Sequence, residues 1–141
     1  MTVALWGHRD ASPEVESEVR RVLVDLIEHD GACLFYVGNE GNFDRIAQRV
    51  LSRLSKEYIH IRCYIVLAYL PKNQFLESFS LKTIYPEGLE CVPQRFAICK
   101  RNEWILSRAD TLVMHVPFSV GNSYRLKLKA ERKGKKVINI L

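Results

Sequence analysis

No two of the four cysteines stand in CxxC spacing. Cys33, Cys63, Cys91 and Cys99 therefore give little support to a zinc site, and no metal and no cofactor are expected. They read as free cysteines packed in a cytosolic core, Cys33 and Cys63 lying inside apolar strand-like runs. Long hydrophobic runs are missing too. The longest, CYIVLAYL, is strand-sized and far short of the roughly 18–20 residues of a membrane span. The first residues, MTVALWGHRD, lack the basic start and apolar core of a secretory signal, so a soluble cytoplasmic protein without membrane contact is expected. No basic run is interleaved with aromatics as in single-strand binders. The histidines, at 8, 29, 60 and 115, are scattered, and no Ser/His/Asp or Cys/His arrangement can be assembled from them.

What is present is alternation. The chain has 141 residues, a length that fits one domain. TVALW, residues 2–6, reads as a strand. Ser12-Pro13 supplies an N-cap and a first-turn proline, and Val15, Val19, Val22, Leu23, Leu26 and Ile27 then recur at helical spacing as far as Gly31. ACLFYV (32–37) is a second strand. Ile46, Ala47, Val50, Leu51 and Leu54 mark a second helix, and IRCYIVLAYL (61–70) a third strand stopped by Pro71. Residues 72–92 show little periodicity and read as a long, functional type of connection. Pro93 opens another helix, DTLVMHV (110–116) is a fourth strand, Tyr124 to Arg132 a helix and KKVINIL a fifth strand. The strands are continuously apolar, as in strands covered on both faces. The expected fold class is α/β: a single Rossmann-like domain over 1–141, its mostly parallel sheet of about five strands carrying helices on both faces.

In such sheets ligands sit beyond the carboxyl ends of the strands. Three loops fall there. Gly7-His8-Arg9-Asp10 follows the first strand and offers an arginine for phosphate or carboxylate. Gly38-Asn39-Glu40-Gly41-Asn42-Phe43-Asp44 follows the second. It matches neither GxGxxG nor a Walker motif, and Glu40 and Asp44 suit ribose hydroxyls or base N–H groups better than phosphate. Asp44 has a second reading as a first-turn acid that stabilises the helix dipole. Pro117-Phe118-Ser119-Val120-Gly121-Asn122-Ser123 follows the fourth, where Gly121 and a helix start can bind an anion or simply cap a turn. On the helix before that strand, periodicity leaves open whether Arg101 and Asn102 face solvent or the cleft. The net charge is +5, and seven lysines and arginines from Arg125 to Lys136 form a basic face that reads as solvated or as a surface for nucleic acid or an acidic partner.

The GHR that ends strand one, VGNEGNFD, YPEGLE (85–90), RNEWILSRADTLVM (101–114) and the terminal KGKKVINI together resemble the SLOG superfamily. This Rossmann-like group holds the Lonely-guy phosphoribohydrolases, the DNA-processing Smf/DprA proteins and the YpsA-like proteins, and the last branch looks closest. The resemblance covers almost the whole chain. It implies a nucleotide or nucleotide-derived ligand, with Gly7 and Arg9 on one side of the pocket, Gly38, Gly41 and Asp44 in the middle, and Arg101 and Asn102 reaching in from their helix. Gly121-Asn122-Ser123 falls where many relatives have Gly-Gly-Thr. Lonely-guy enzymes carry GGxGTxxE, whose glutamate serves in N-glycosidic cleavage; here Leu126 stands three residues after Ser123, beside Arg125.

The leading expectation is therefore a domain that binds a nucleotide-derived small molecule as sensor, carrier or sponge, in a homo-oligomer such as the dimers its relatives form. The ligand-binding set is Gly7, His8, Arg9, Gly38, Asn39, Glu40, Gly41, Asn42, Asp44, Arg101, Asn102, Gly121, Asn122 and Ser123. An N-glycosidic hydrolase of Lonely-guy type, with Glu40 or Glu87 supplying the carboxylate, is the alternative. A DprA-type nucleic-acid module ranks third.

Overall fold

In a computed structural model of the chain, residues 1–70 and 81–141 are described. The first strand, β1 (Thr2–Gly7), shows how the sheet is built. Val3 and Leu5 point to one face, Ala4 and Trp6 to the other, and all four are buried. A strand that is apolar on both faces needs a layer on each side. Helices α1 (Glu16–His29) and α2 (Asn42–Glu57) cover the first face, where Val19, Leu23, Leu26, Phe43, Leu51 and Leu54 pack on Val3, Leu5, Phe35 and Ile65. Helices α3 (Ala97–Arg108) and α4 (Asn122–Arg132) cover the second, where Ile105, Leu106 and Ala130 join Ala4, Trp6, Leu112 and Met114.

The remaining strands are β2 (Leu34–Val37), β3 (Arg62–Val66), β4 (Lys82–Ile84), β5 (Thr111–His115) and β6 (Lys136–Asn139). They lie in the order β4-β3-β2-β1-β5-β6, and every pairing is parallel. The expected Rossmann-like α/β fold is thus present, with six strands among the described residues instead of about five, all of them parallel. The extra strand is β4. Its three residues are too few to show a period, and it is defined by its ladder to β3, Tyr64 facing Lys82 and Val66 facing Ile84. It occupies part of the stretch read as an aperiodic connection over 72–92. Of that stretch, 72–80 lie outside the described residues; Gly88, at φ +86°, leads into a short 3-10 turn, Leu89–Cys91.

The helix signals act where the sequence places them. Ser12 Oγ accepts from the Glu14 N–H at 3.3 Å, beginning the 3-10 turn Pro13–Val15 that leads into α1. Gly31, at φ +73°, closes the end of α1 in the left-handed conformation. All four cysteines are free, but only Cys63 is buried; Cys33 sits just before β2 and is exposed, as are Cys91 and Cys99. The expectation of a packed core position is thus corrected for three of them. Burial pushes the Cys63 thiol up to about 12, so it is no nucleophile at neutral pH. Among the described residues, no helix is long and apolar enough to cross a membrane.

Candidate functional site

Strand order reverses between β1 and β5, because β2 to β4 build outward on one side of β1, and β5 and β6 on the other. A doubly wound sheet opens a crevice at this point, since the connections leave in opposite directions. The β1–β5 ladder runs to Gly7 opposite His115, and the His8 N–H extends it by one bond to the His115 carbonyl at 3.0 Å. Just beyond lies a cleft of about 350 Å³. Its walls are the loop after β1, the amino end of α2, the inner side of α3 and the loop from Val116 into α4.

Eleven of the fourteen residues expected at a ligand line this cleft: Gly7, His8 and Arg9; Glu40, Gly41 and Asp44; Arg101 and Asn102; Gly121, Asn122 and Ser123. Gly38, Asn39 and Asn42 do not line it. Each has a different task. The Gly38 carbonyl and the Asn39 side-chain oxygen accept from Gln48 Nε2, at 2.8 and 3.2 Å, which pins the loop to α2. The Asn42 N–H donates to the Arg9 carbonyl at 2.9 Å and ties two cleft loops together.

The glycines admit the protein's own atoms. A Cβ on Gly7 would collide with the Phe43 ring. On Gly41 it would lie 2.8 Å from Arg9 Cα, and on Gly38 2.8 Å from Asp44 Oδ2 and 3.0 Å from Arg101 Nη1. Gly121 differs. It stands in open space at φ +100°, a conformation that L side chains rarely adopt.

Two helices bring their amino ends to the cleft; neither has a side-chain cap, but α2 carries an acid in its first turn and α4 carries none. Asp44, in the first turn of α2, reaches back to accept from the Glu40 N–H at 2.8 Å. Both readings of Asp44 thus meet in one carboxyl: it stabilises the helix start and it lines the cleft. Burial lifts its pKa to about 6, against the Glu40 N–H bond and the Arg101 charge, which lower it. Gly121, Asn122 and Ser123 line the cleft, so the positive end of the α4 dipole lies beside it.

Arg101 turns inward and is 2% exposed. Its Nε and Nη2 donate to Asn102 Oδ1 at 3.2 and 2.9 Å. Its Nη1 is buried without a hydrogen bond among the described residues, and the nearest opposite charge, Glu40 Oε1, is 3.5 Å away. Burial pulls the guanidinium's pKa down, while Asp44, Glu40 and Tyr69 pull it up. His8 holds its ring edge-on to Phe118, centroids 5.4 Å apart, and its Nδ1 accepts from the Asp10 N–H at 3.1 Å. His115 is buried, its Nδ1 2.7 Å from the Ile140 carbonyl and its ring stacked on Phe43.

Residues not singled out for a site also line the cleft. Trp6 closes its base beside Asn102; Ile98, Phe118, Val120 and Leu126 give it apolar flanks. Trp6 and Leu126 look like core positions in the sequence, and nothing local distinguishes them. Gln48, which holds the loop after β2, does not line the cleft; it is one of three buried polar residues of α2, with Asp44 and Ser52.

No family model and no curated protein matches the chain in sequence. Among solved structures, the X-ray structure of DNA processing protein A (DprA) from Streptococcus pneumoniae is similar, with a TM-score of 0.71 at 18% identity. The likeness covers 99% of this chain and 50% of the streptococcal one, so this chain spans half the length of that neighbour. At this identity the fold is what the two share.

Proposed function

We propose that the cleft binds a nucleotide or nucleotide-derived small molecule, and that the chain is a cytoplasmic SLOG-type domain of the YpsA-like branch acting as sensor, carrier or sponge. One observation carries the reading: the buried Arg101 guanidinium keeps an unsatisfied Nη1 at the cleft wall. A buried charged donor without a hydrogen bond is costly, and a bound anion repays that cost. The uncapped start of α4 and the exposed Arg9 add two further attractions for phosphate. Glu40 and Asp44 suit hydroxyls and N–H groups, and Phe118, 58% exposed, offers a ring face to a base. The cleft volume falls within the range of small-molecule sites, at its lower end. A homodimer belongs to the proposal on the resemblance alone.

Hydrolysis is the weaker reading. At the position where the Lonely-guy motif has its glutamate, Leu126 turns an apolar side chain to the cleft. The deciding experiment is native mass spectrometry of freshly purified protein, with identification of whatever leaves on denaturation. A nucleotide-like mass is expected, and it should be lost, or its affinity cut by about tenfold or more, in Arg101→Ala and Arg9→Ala. An empty spectrum, together with no thermal shift across a nucleotide panel, would overturn the proposal.

A further inference from the structure

The side-chain amide of Asn102 has two faces of opposite character, and the structure decides which one the cleft meets. Three N–H groups converge on its Oδ1: Trp6 Nε1 at 3.2 Å, Arg101 Nε at 3.2 Å and Arg101 Nη2 at 2.9 Å. Rotating the amide by half a turn would set its NH₂ against an indole N–H and a guanidinium, donor against donor. The oxygen is therefore consumed inside the protein. The Nδ2 group is left without an acceptor among the described residues, in a side chain that lines the cleft. Beside it stands Arg101 Nη1, which makes no hydrogen bond among the described residues and has Glu40 Oε1 3.5 Å away.

Trp6 matters because its N–H comes from a different element. Arg101 is the chain neighbour of Asn102 and moves with α3; Trp6 sits on β1, 5% exposed and held in the core. Its indole fixes the amide relative to the sheet and so relative to the whole cleft.

We propose that Trp6 is a specificity-determining positioning residue: by locking Asn102 with its NH₂ outward, it makes the α3 wall a donor surface that takes an oxyanion or carbonyl oxygen and rejects an amine. This deepens the nucleotide reading and rests on it. Two sources supply that chemistry, a phosphate and the oxo group of a base.

Calorimetric titration with GMP, guanosine and orthophosphate tests it, using the wild type, Trp6→Phe and Asn102→Asp. Trp6→Phe keeps a ring and removes the N–H; GMP affinity should fall about tenfold. Asn102→Asp puts an acceptor where the donor stands and should cost about a hundredfold or more. A parallel loss with orthophosphate assigns the donor wall to phosphate, and a loss with guanosine assigns it to the base. Wild-type binding with unchanged affinity in Trp6→Phe overturns this proposal and leaves the nucleotide reading standing. A wild type that binds none of the three overturns this proposal, and the nucleotide reading falls with it only if the whole nucleotide panel and the native spectrum are also empty. Should Trp6→Phe fail to fold, deuterium exchange of the Trp6 indole proton decides: about tenfold faster in Asn102→Ala than in the wild type is expected, and equal rates sink the lock.

Discussion

Asp44 gains more from its proton than from its charge. Its carboxyl is 7% exposed, and burial raises its pKa from 3.8 to about 6. The folded state therefore binds this proton more tightly than the unfolded state. Its contribution to stability is greatest below about pH 4, declines as pH rises towards 6, and stays at its low value above that. Asp44→Asn keeps the shape and removes the titration. The unfolding free energy of the wild type relative to this variant should fall by about 2 kcal/mol between about pH 4 and pH 7. Urea melts across that range check it, and a flat difference would show that Asp44 keeps its ordinary pKa. Gly38 belongs with this carboxyl. Its missing Cβ is what lets Asp44 and Arg101 come so close to the loop, so a glycine that reads as room for a ligand is room for an internal charge pair.

At the scale of elements, the contrast between α2 and α4 stands out. Neither start has a side-chain cap, but the first carries an acid, Asp44, in its first turn and the second carries none. Gly121 sets the second, at φ +100°. Gly121→Ala should lower stability by about 1–3 kcal/mol, the usual cost of forcing a side chain into that region. It should also diminish the rise in Tm that orthophosphate gives the wild type, because the α4 N–H groups would be re-aimed. Thermal melts with and without orthophosphate measure both, and an undiminished rise would place the anion elsewhere.

The elements themselves were mostly legible. Ser12, Pro13 and Gly31 mark the ends of the first helical region, and the apolar runs mark five of six strands, because caps and long periods are local signals. β4 was not, since three residues cannot show a period and only their partner strand defines them. The cleft was legible as loops after strands. The inward turn of Arg101 was not, because the α3 sequence permits either orientation and tertiary packing chooses. Trp6 escaped for the same reason: in the chain it is one more apolar strand residue.

Over the whole molecule, the basic cluster near the carboxyl end is separated from the cleft. Lys127 pairs with Glu131 and Lys129 with Glu103, while Arg132, Lys133, Lys135 and Lys136 form no ion pair among the described residues. These four lie at the carboxyl end of α4 and the start of β6, whereas the cleft meets the amino end of α4. A helix of eleven residues is about 16 Å long, more than a Debye length at physiological salt. Reversing Arg132 and Lys133 to Glu should therefore leave mononucleotide affinity within about twofold and remove any salt-dependent binding of a single-stranded oligonucleotide. Fluorescence anisotropy at two salt concentrations separates the two, and a joint loss would mean that one surface serves both.

The central place of β1 also governs how the molecule comes into being. This strand is flanked on one side by β2, about thirty residues later in the chain, and on the other by β5, more than a hundred residues later. One flank of β1 thus stays open through most of synthesis, an apolar edge awaiting its partner. Pairings of this sequence separation make folding slow, since the loop must close before the contact rewards it. The cleft straddles that last seam, so it takes shape only when the early and late parts of the chain have met.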